Sequence, residues 1–108
     1  EERFTLKILK KQKTIISLGG GAFLNQNIKR EILKNHLSFW LNWRPETLIS
    51  RINRSTKRPV AFKATKNELY ELINKRSKIY STALYKVNCD NLKKNEIVKK
   101  ILKIYETH

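Results

Sequence analysis

The apolar positions of the chain alternate between two rhythms. Phe4, Ile8 and Leu9 recur at helical spacing among lysines, so residues 1–11 read as an amphipathic helix entered part-way along. Thr14-Ile15-Ile16-Ser17-Leu18 is a continuous β-branched run that suits a buried parallel strand, and Gly19-Gly20-Gly21 ends it. Asn25 is placed to cap a helix that carries Ile28, Ile32 and Leu33 on one face. Leu37 to Leu41 predicts a second strand. Pro45 and Glu46 then suit the first turn of a helix whose apolar face is Leu48, Ile49 and Ile52. Residues 53–63 are polar, basic and aperiodic, which predicts a lid-like loop. Thr65 and Glu68 have the spacing of a capping box for the longest helix, through Leu69, Leu72, Ile73 and Ile79. Leu84 to Val87 is a third short strand, and Ile97, Val98, Ile101, Leu102 and Tyr105 mark a closing helix.

Strands that alternate with helices imply an α/β domain, a parallel sheet with helices on its faces. With 108 residues the chain holds one core and one domain, 1–108. No repeat or low-complexity linker divides it.

Composition narrows the function classes. Hydrophobic residues are 40% of the chain, too many for a disordered polyelectrolyte. No apolar run approaches the roughly 18 residues of a membrane span, and Glu1-Glu2-Arg3-Phe4 is not the head of a signal peptide. The single cysteine, Cys89, fits a reducing cytoplasm and has no nucleophile's surroundings in the sequence. His36 and His108 have no metal-ligand spacing, so no metal site is expected from them. The net charge of +15 raises the possibility of a basic nucleic-acid-binding protein. However, the lysines are scattered with asparagines and isoleucines through the whole chain, without a basic block or an aromatic-studded basic strand. A solvated basic surface is the plainer reading.

Three constellations carry candidate chemistry. In Ser17-Leu18-Gly19-Gly20-Gly21-Ala22 the glycines follow a strand, where α/β proteins bind ligands, and glycine lets a ligand approach backbone N–H groups closely. Arg51, Arg54, Lys57 and Arg58-Pro59 could clamp phosphate oxygens from the aperiodic loop, because the guanidinium fork matches them. In so lysine-rich a chain, a merely solvated loop competes with that reading. Arg76 lies three residues from both Ile73 and Ile79, beside the buried face of its helix. An arginine there needs a partner, either a protein carboxylate or a ligand's.

The order of these features, strand, Gly-Gly-Gly-Ala, strand, Arg-Pro loop and Arg76-x-x-x-Tyr80, resembles the shikimate kinase family over essentially the whole chain. The resemblance implies a P-loop kinase fold of the nucleoside-monophosphate-kinase type, with three of its five strands present here. It implies ATP- and Mg²⁺-dependent phosphorylation of the shikimate 3-hydroxyl, on the route to chorismate and the aromatic amino acids. Gly19, Gly20 and Gly21 would then contact shikimate through backbone amides, and Arg76 would bind its carboxylate. Arg58 would reach the ATP phosphates and stabilise charge during transfer, Arg51 would pack on adenine, and Glu1 would brace the substrate-binding arginine. The partners implied are shikimate and ATP, with no nucleic acid and no membrane, in a cytoplasmic enzyme that is monomeric when complete.

The chain departs from the family pattern in three respects. It contains no G-x-x-G-x-G-K-[ST] motif, which would supply the phosphate cradle and the Mg²⁺-binding hydroxyl. The family's aspartate for the shikimate hydroxyl and the arginine preceding Glu1 are expected upstream. Asn91-Leu92-Lys93-Lys94-Asn95 stands where the adenine loop usually holds a proline. The expectation is therefore an N-terminally truncated domain. Alone it would be inactive as a kinase and poorly stable, because strands 14–18 and 37–41 would have to pair directly or leave open edges. A non-catalytic binding module that keeps the carboxylate site is the alternative.

Overall fold

The computed structural model describes residues 2–10, 14–54 and 65–108. Among them are five α-helices and two strands: α1 (Glu2–Leu9), α2 (Gln26–Asn35), β1 (Phe39–Asn42), α3 (Pro45–Arg54), α4 (Lys66–Tyr80), β2 (Tyr85–Asn88) and α5 (Lys94–Thr107). A single 3₁₀ turn, Ala22–Leu24, leads into α2.

The helix boundaries follow local chemistry. Asn25 accepts hydrogen bonds at its Oδ1 from the N–H groups of Asn27 (2.9 Å) and Ile28 (3.0 Å), satisfying donors that the first turn of α2 cannot pair internally. Pro45 opens α3, where its missing N–H costs nothing. Thr65 and Glu68 form the expected reciprocal box, with both bonds at 3.1 Å. At α5 the Glu96 carboxylate accepts from the Lys93 N–H at 2.8 Å.

β1 and β2 pair in parallel, with Phe39 opposite Tyr85, Trp40 opposite Lys86, Leu41 opposite Val87 and Asn42 opposite Asn88. A parallel pair requires a long crossover, and α3 and α4 lie within it. Phe39 and Tyr85 stack at 5.4 Å between ring centroids, and Asn42 Nδ2 donates to Asn88 Oδ1 at 3.1 Å. Cross-strand pairs of this kind are the unit of sheet stabilisation.

Burial concentrates in two clusters. Leu9, Phe23, Ile28 and Ile32 join α1 and α2, with Ile79 and Tyr80 of α4 packed against them. Val87, Cys89 and Ile97 join β2 to α5, flanked by Phe39, Trp43, Ile101 and Ile104. Ile49 and Leu69 are buried where α3 packs against α4.

The third expected strand does not form. Residues 14–18 have no regular secondary structure, and Ile15 is 98% exposed while Ile16 alone touches the core. A β-branched run becomes a strand only when a neighbour satisfies its backbone. The two described strands pair with each other, and neither takes up 14–18. Of the two expected outcomes for strands 14–18 and 37–41, direct pairing or open edges, direct pairing does not occur: β1 pairs with β2. Several predicted core positions are also exposed, namely Leu33, Leu72, Val98, Leu102 and Tyr105. The buried stripe of α5 is Ile97, Ile101 and Ile104, about one helical step round from the predicted face.

Candidate functional site at the glycine turn

The glycine turn is closed by a hydrogen bond from the Ala22 N–H to the Gly19 carbonyl (3.1 Å), and the 3₁₀ turn carries it into the Asn25 cap. None of its glycines has a positive φ. Backbone angles therefore do not demand glycine at these three positions. The reason for glycine lies in approach. A Cβ at Gly19 or Gly21 would project into open space, whereas one at Gly20 would lie 3.2 Å from Nη1 of Arg76 and 3.6 Å from the Tyr80 hydroxyl. The guanidinium thus lies against the Gly20 backbone at a range that a side chain would obstruct.

Arg76 and Tyr80 reach the turn together because residues four apart share one helix face. The Tyr80 hydroxyl donates to the Gly20 carbonyl, tying the end of α4 to the turn. Its ring tilts against Phe23 at 6.4 Å and Trp40 at 6.3 Å, so the tie is packed from both sides. The Arg76 Nε is buried and has no hydrogen-bond partner among the described residues. No carboxylate among the described residues pairs with this guanidinium. The N–H groups of Gly19, Gly20 and Gly21 likewise donate to no described residue. A buried guanidinium nitrogen without a described partner is a group that ordinarily finds one.

Glu2 supports the turn from α1. Its carboxylate accepts from Nδ2 of Asn27 and, at 3.2 Å, from Nδ2 of Asn25, the residue that caps α2. These two amides, Asn27 first, hold the Glu2 carboxyl below its ordinary range. The sequence pointed to Glu1 as the brace, and Glu1 lies outside the described residues. Glu2 and Tyr80 are the neighbours that sequence reasoning did not assign. The i, i+4 spacing of Arg76 and Tyr80 was the available signal for the second.

The remaining candidates sit elsewhere. The Arg51 guanidinium lies over the Trp43 ring, 4.9 Å from its centroid, and makes no described contact with the glycine turn. Arg58 lies outside the described residues, as does most of the lid-like loop. Helix α3 continues through Arg54, so the first two residues assigned to that loop are helical. Asp90, after β2, accepts from the Arg44 N–H (2.8 Å) and the Thr47 hydroxyl (2.9 Å) at the start of α3. Burial pushes the Asp90 carboxyl up, but these bonds and the Arg44 guanidinium outweigh it and leave the group below its ordinary range. Asn91 follows with φ 64°, a left-handed position that asparagine tolerates. Burial raises the Cys89 thiol, as expected of a structural cysteine. No group of three or more His, Cys, Asp or Glu residues that could hold a metal occurs among the described residues.

Comparison with known proteins bears on this geometry. The chain is 31% identical over its full length to a shikimate kinase of Rhizobium meliloti, and 38% identical over 97 residues to one of Bacillus pumilus. It covers 57% and 50% of those proteins, so it spans about half the length of the curated relatives it matches. The crystal structure of a shikimate kinase from Bacteroides thetaiotaomicron superposes on 98% of the chain with a TM-score of 0.76 at 23% identity, using 64% of that structure. This likeness carries the P-loop kinase fold. The family model for shikimate kinase matches residues 1–106, nearly every residue described above, and the chain belongs to the shikimate kinase family.

Proposed function

We propose that this chain forms the shikimate-binding part of an ATP-dependent shikimate kinase that phosphorylates the 3-hydroxyl. The observation that carries the reading is the Gly20–Arg76 juxtaposition: a guanidinium against the Gly20 backbone, its buried Nε without a partner among the described residues, in a turn whose three glycine N–H groups donate to no described residue. Shikimate is a small ring with one carboxylate and several hydroxyls. Arg76 takes the carboxylate through charge-assisted bonds, and the glycine amides receive the remaining oxygens. Tyr80 and Glu2 act as positioning residues, one holding the Gly20 carbonyl and the other the capping Asn25. Arg51 supports adenine with an exposed guanidinium positioned over the Trp43 ring. Arg58 meets the phosphates and stabilises charge as the phosphoryl group moves. These 108 residues contain no G-x-x-G-x-G-K-[ST] motif. The ATP phosphate cradle and Mg²⁺ ligands are accordingly assigned to none of them.

The test is equilibrium titration of shikimate into the parent protein and the Arg76→Ala variant. Loss of charge-assisted bonds is expected to weaken binding by about 1.5–3 kcal/mol, roughly ten- to 150-fold. Unchanged affinity in the variant would refute the assignment. Arg58→Ala is expected to lower kcat and leave the shikimate Kd in place, because its contact strengthens only as charge develops. Binding through Arg76 without turnover would instead identify a binding module.

A further inference from the structure

Arg51, the proposed adenine contact, stands on a support built from two parts of the fold. Its guanidinium carbon lies 4.9 Å from the centroid of the Trp43 ring, and no ion pair among the described residues engages it. Trp43 falls between the end of β1 and the start of α3 and packs against the cluster of Val87, Cys89 and Ile97. The backbone on either side of Trp43 is tied to the segment that follows β2. The Asn42 carbonyl accepts from the Cys89 N–H at 2.8 Å, and the Arg44 N–H donates to the Asp90 carboxylate at 2.8 Å. The Thr47 hydroxyl, in the first turn of α3, donates to the same carboxylate at 2.9 Å.

An exposed arginine on a helix samples many rotamers, and a ligand that has to order it loses affinity in doing so. An indole is the best aromatic partner for a guanidinium. This indole is itself held in place, because it packs on the core and both neighbouring residues are hydrogen-bonded across to residues 89–90. Trp43 therefore narrows the positions open to the exposed Arg51 side chain before a ligand arrives. We propose that Trp43 is a positioning residue for the nucleotide base, acting through Arg51 rather than on the nucleotide directly. This rests on the proposed adenine contact of Arg51 and adds the residue that holds that contact ready. No residue of the glycine turn takes part, so shikimate affinity is independent of it.

The test is equilibrium titration of ATP, and separately of shikimate, into the protein carrying this chain. Arg51→Ala is expected to weaken ATP binding about fivefold or more, and Trp43→Leu about two- to fivefold, the worth of an exposed cation–π contact. Both variants are expected to keep the parent's shikimate Kd. Trp43→Phe retains apolar packing and a weaker aromatic face, so its ATP Kd should fall between those of the parent and Trp43→Leu. In the Arg51→Ala background either Trp43 change should have no further effect, as for two residues that act through one contact. Should Trp43→Leu fail to fold, Trp43→Phe in the two backgrounds makes the same comparison. Loss of ATP affinity in Arg51→Ala but not in the Trp43 variants would overturn the proposal and leave the adenine reading standing. Additive losses would also overturn it, because Trp43 would then act by another route. An Arg51→Ala variant with the parent's ATP Kd, or a parent without saturable ATP binding, would remove the adenine reading and the proposal together.

Discussion

The glycine turn can be probed by adding one methyl group at a time. At Gly19 and Gly21 the backbone has no positive φ and the space for a Cβ is open. Alanine there removes conformational freedom from the unfolded chain without strain in the folded one, which stabilises by about 0.4–1 kcal/mol. At Gly20 the same gain is offset. The new Cβ would stand 3.2 Å from Nη1 of Arg76, closer than ordinary van der Waals contact, so the guanidinium must retreat by a few tenths of an ångström. The tip of an arginine can make that move at a cost of about 0.5–1 kcal/mol, comparable to holding a side chain off its preferred rotamer. Gly20→Ala should therefore come out near neutral in stability, below both neighbours. Urea unfolding reads this directly: with a slope of about 1–3 kcal/mol/M, Gly19→Ala and Gly21→Ala raise the midpoint by about 0.1–1 M, and Gly20→Ala leaves it unmoved. Because the displaced guanidinium is the proposed carboxylate ligand, Gly20→Ala should also weaken shikimate binding by about 1–2 kcal/mol, the scale of one charge-assisted bond. Clear destabilisation at Gly19 or Gly21, or a Gly20 variant more stable than both with full shikimate affinity, would refute the reasoning.

Ile28 and Leu33 belong to the same face by sequence, but only Ile28 is buried. Ile28→Ala is expected to cost about 2–5 kcal/mol in chemical denaturation, and Leu33→Ala to stay within about 0.5 kcal/mol. Asp90 has a folded-state pKa below its ordinary value of 3.8. Its contribution is thus full above that value and is lost as pH falls through the folded pKa. Asp90→Asn should unfold earlier than the parent at neutral pH, with the gap closing in acid; a gap independent of pH would contradict the capping role. Cys89 is buried and its thiol raised, so a disulfide reagent should modify it only at the rate of opening, and denaturant should make the reaction fast. Rapid modification under native conditions would place the thiol at the surface.

Sequence pattern alone was sufficient wherever structure depends on neighbours along the chain. Asn25, Pro45 and the Thr65–Glu68 pair begin their helices as expected, because capping is settled by hydrogen bonds spanning at most three residues. Arg76 was identifiable as a residue needing a partner, because its position beside an apolar stripe is a matter of helical period. The family resemblance was likewise legible from motif order, since the Gly-Gly-Gly and Arg-x-x-x-Tyr elements are local. What the tertiary structure decided was everything that depends on which elements meet. Residues 14–18 have strand composition but join no described strand, and they stay irregular while β1 and β2 pair across a separation of 46 residues. Helix α5 is apolar over a wide arc, and only its docking against Val87 and Phe39 selects Ile97, Ile101 and Ile104 as the buried part. The use of glycine at position 20 also became clear only in three dimensions. Its backbone angles are ordinary, and the constraint comes from a guanidinium delivered by a helix more than fifty residues further along the chain.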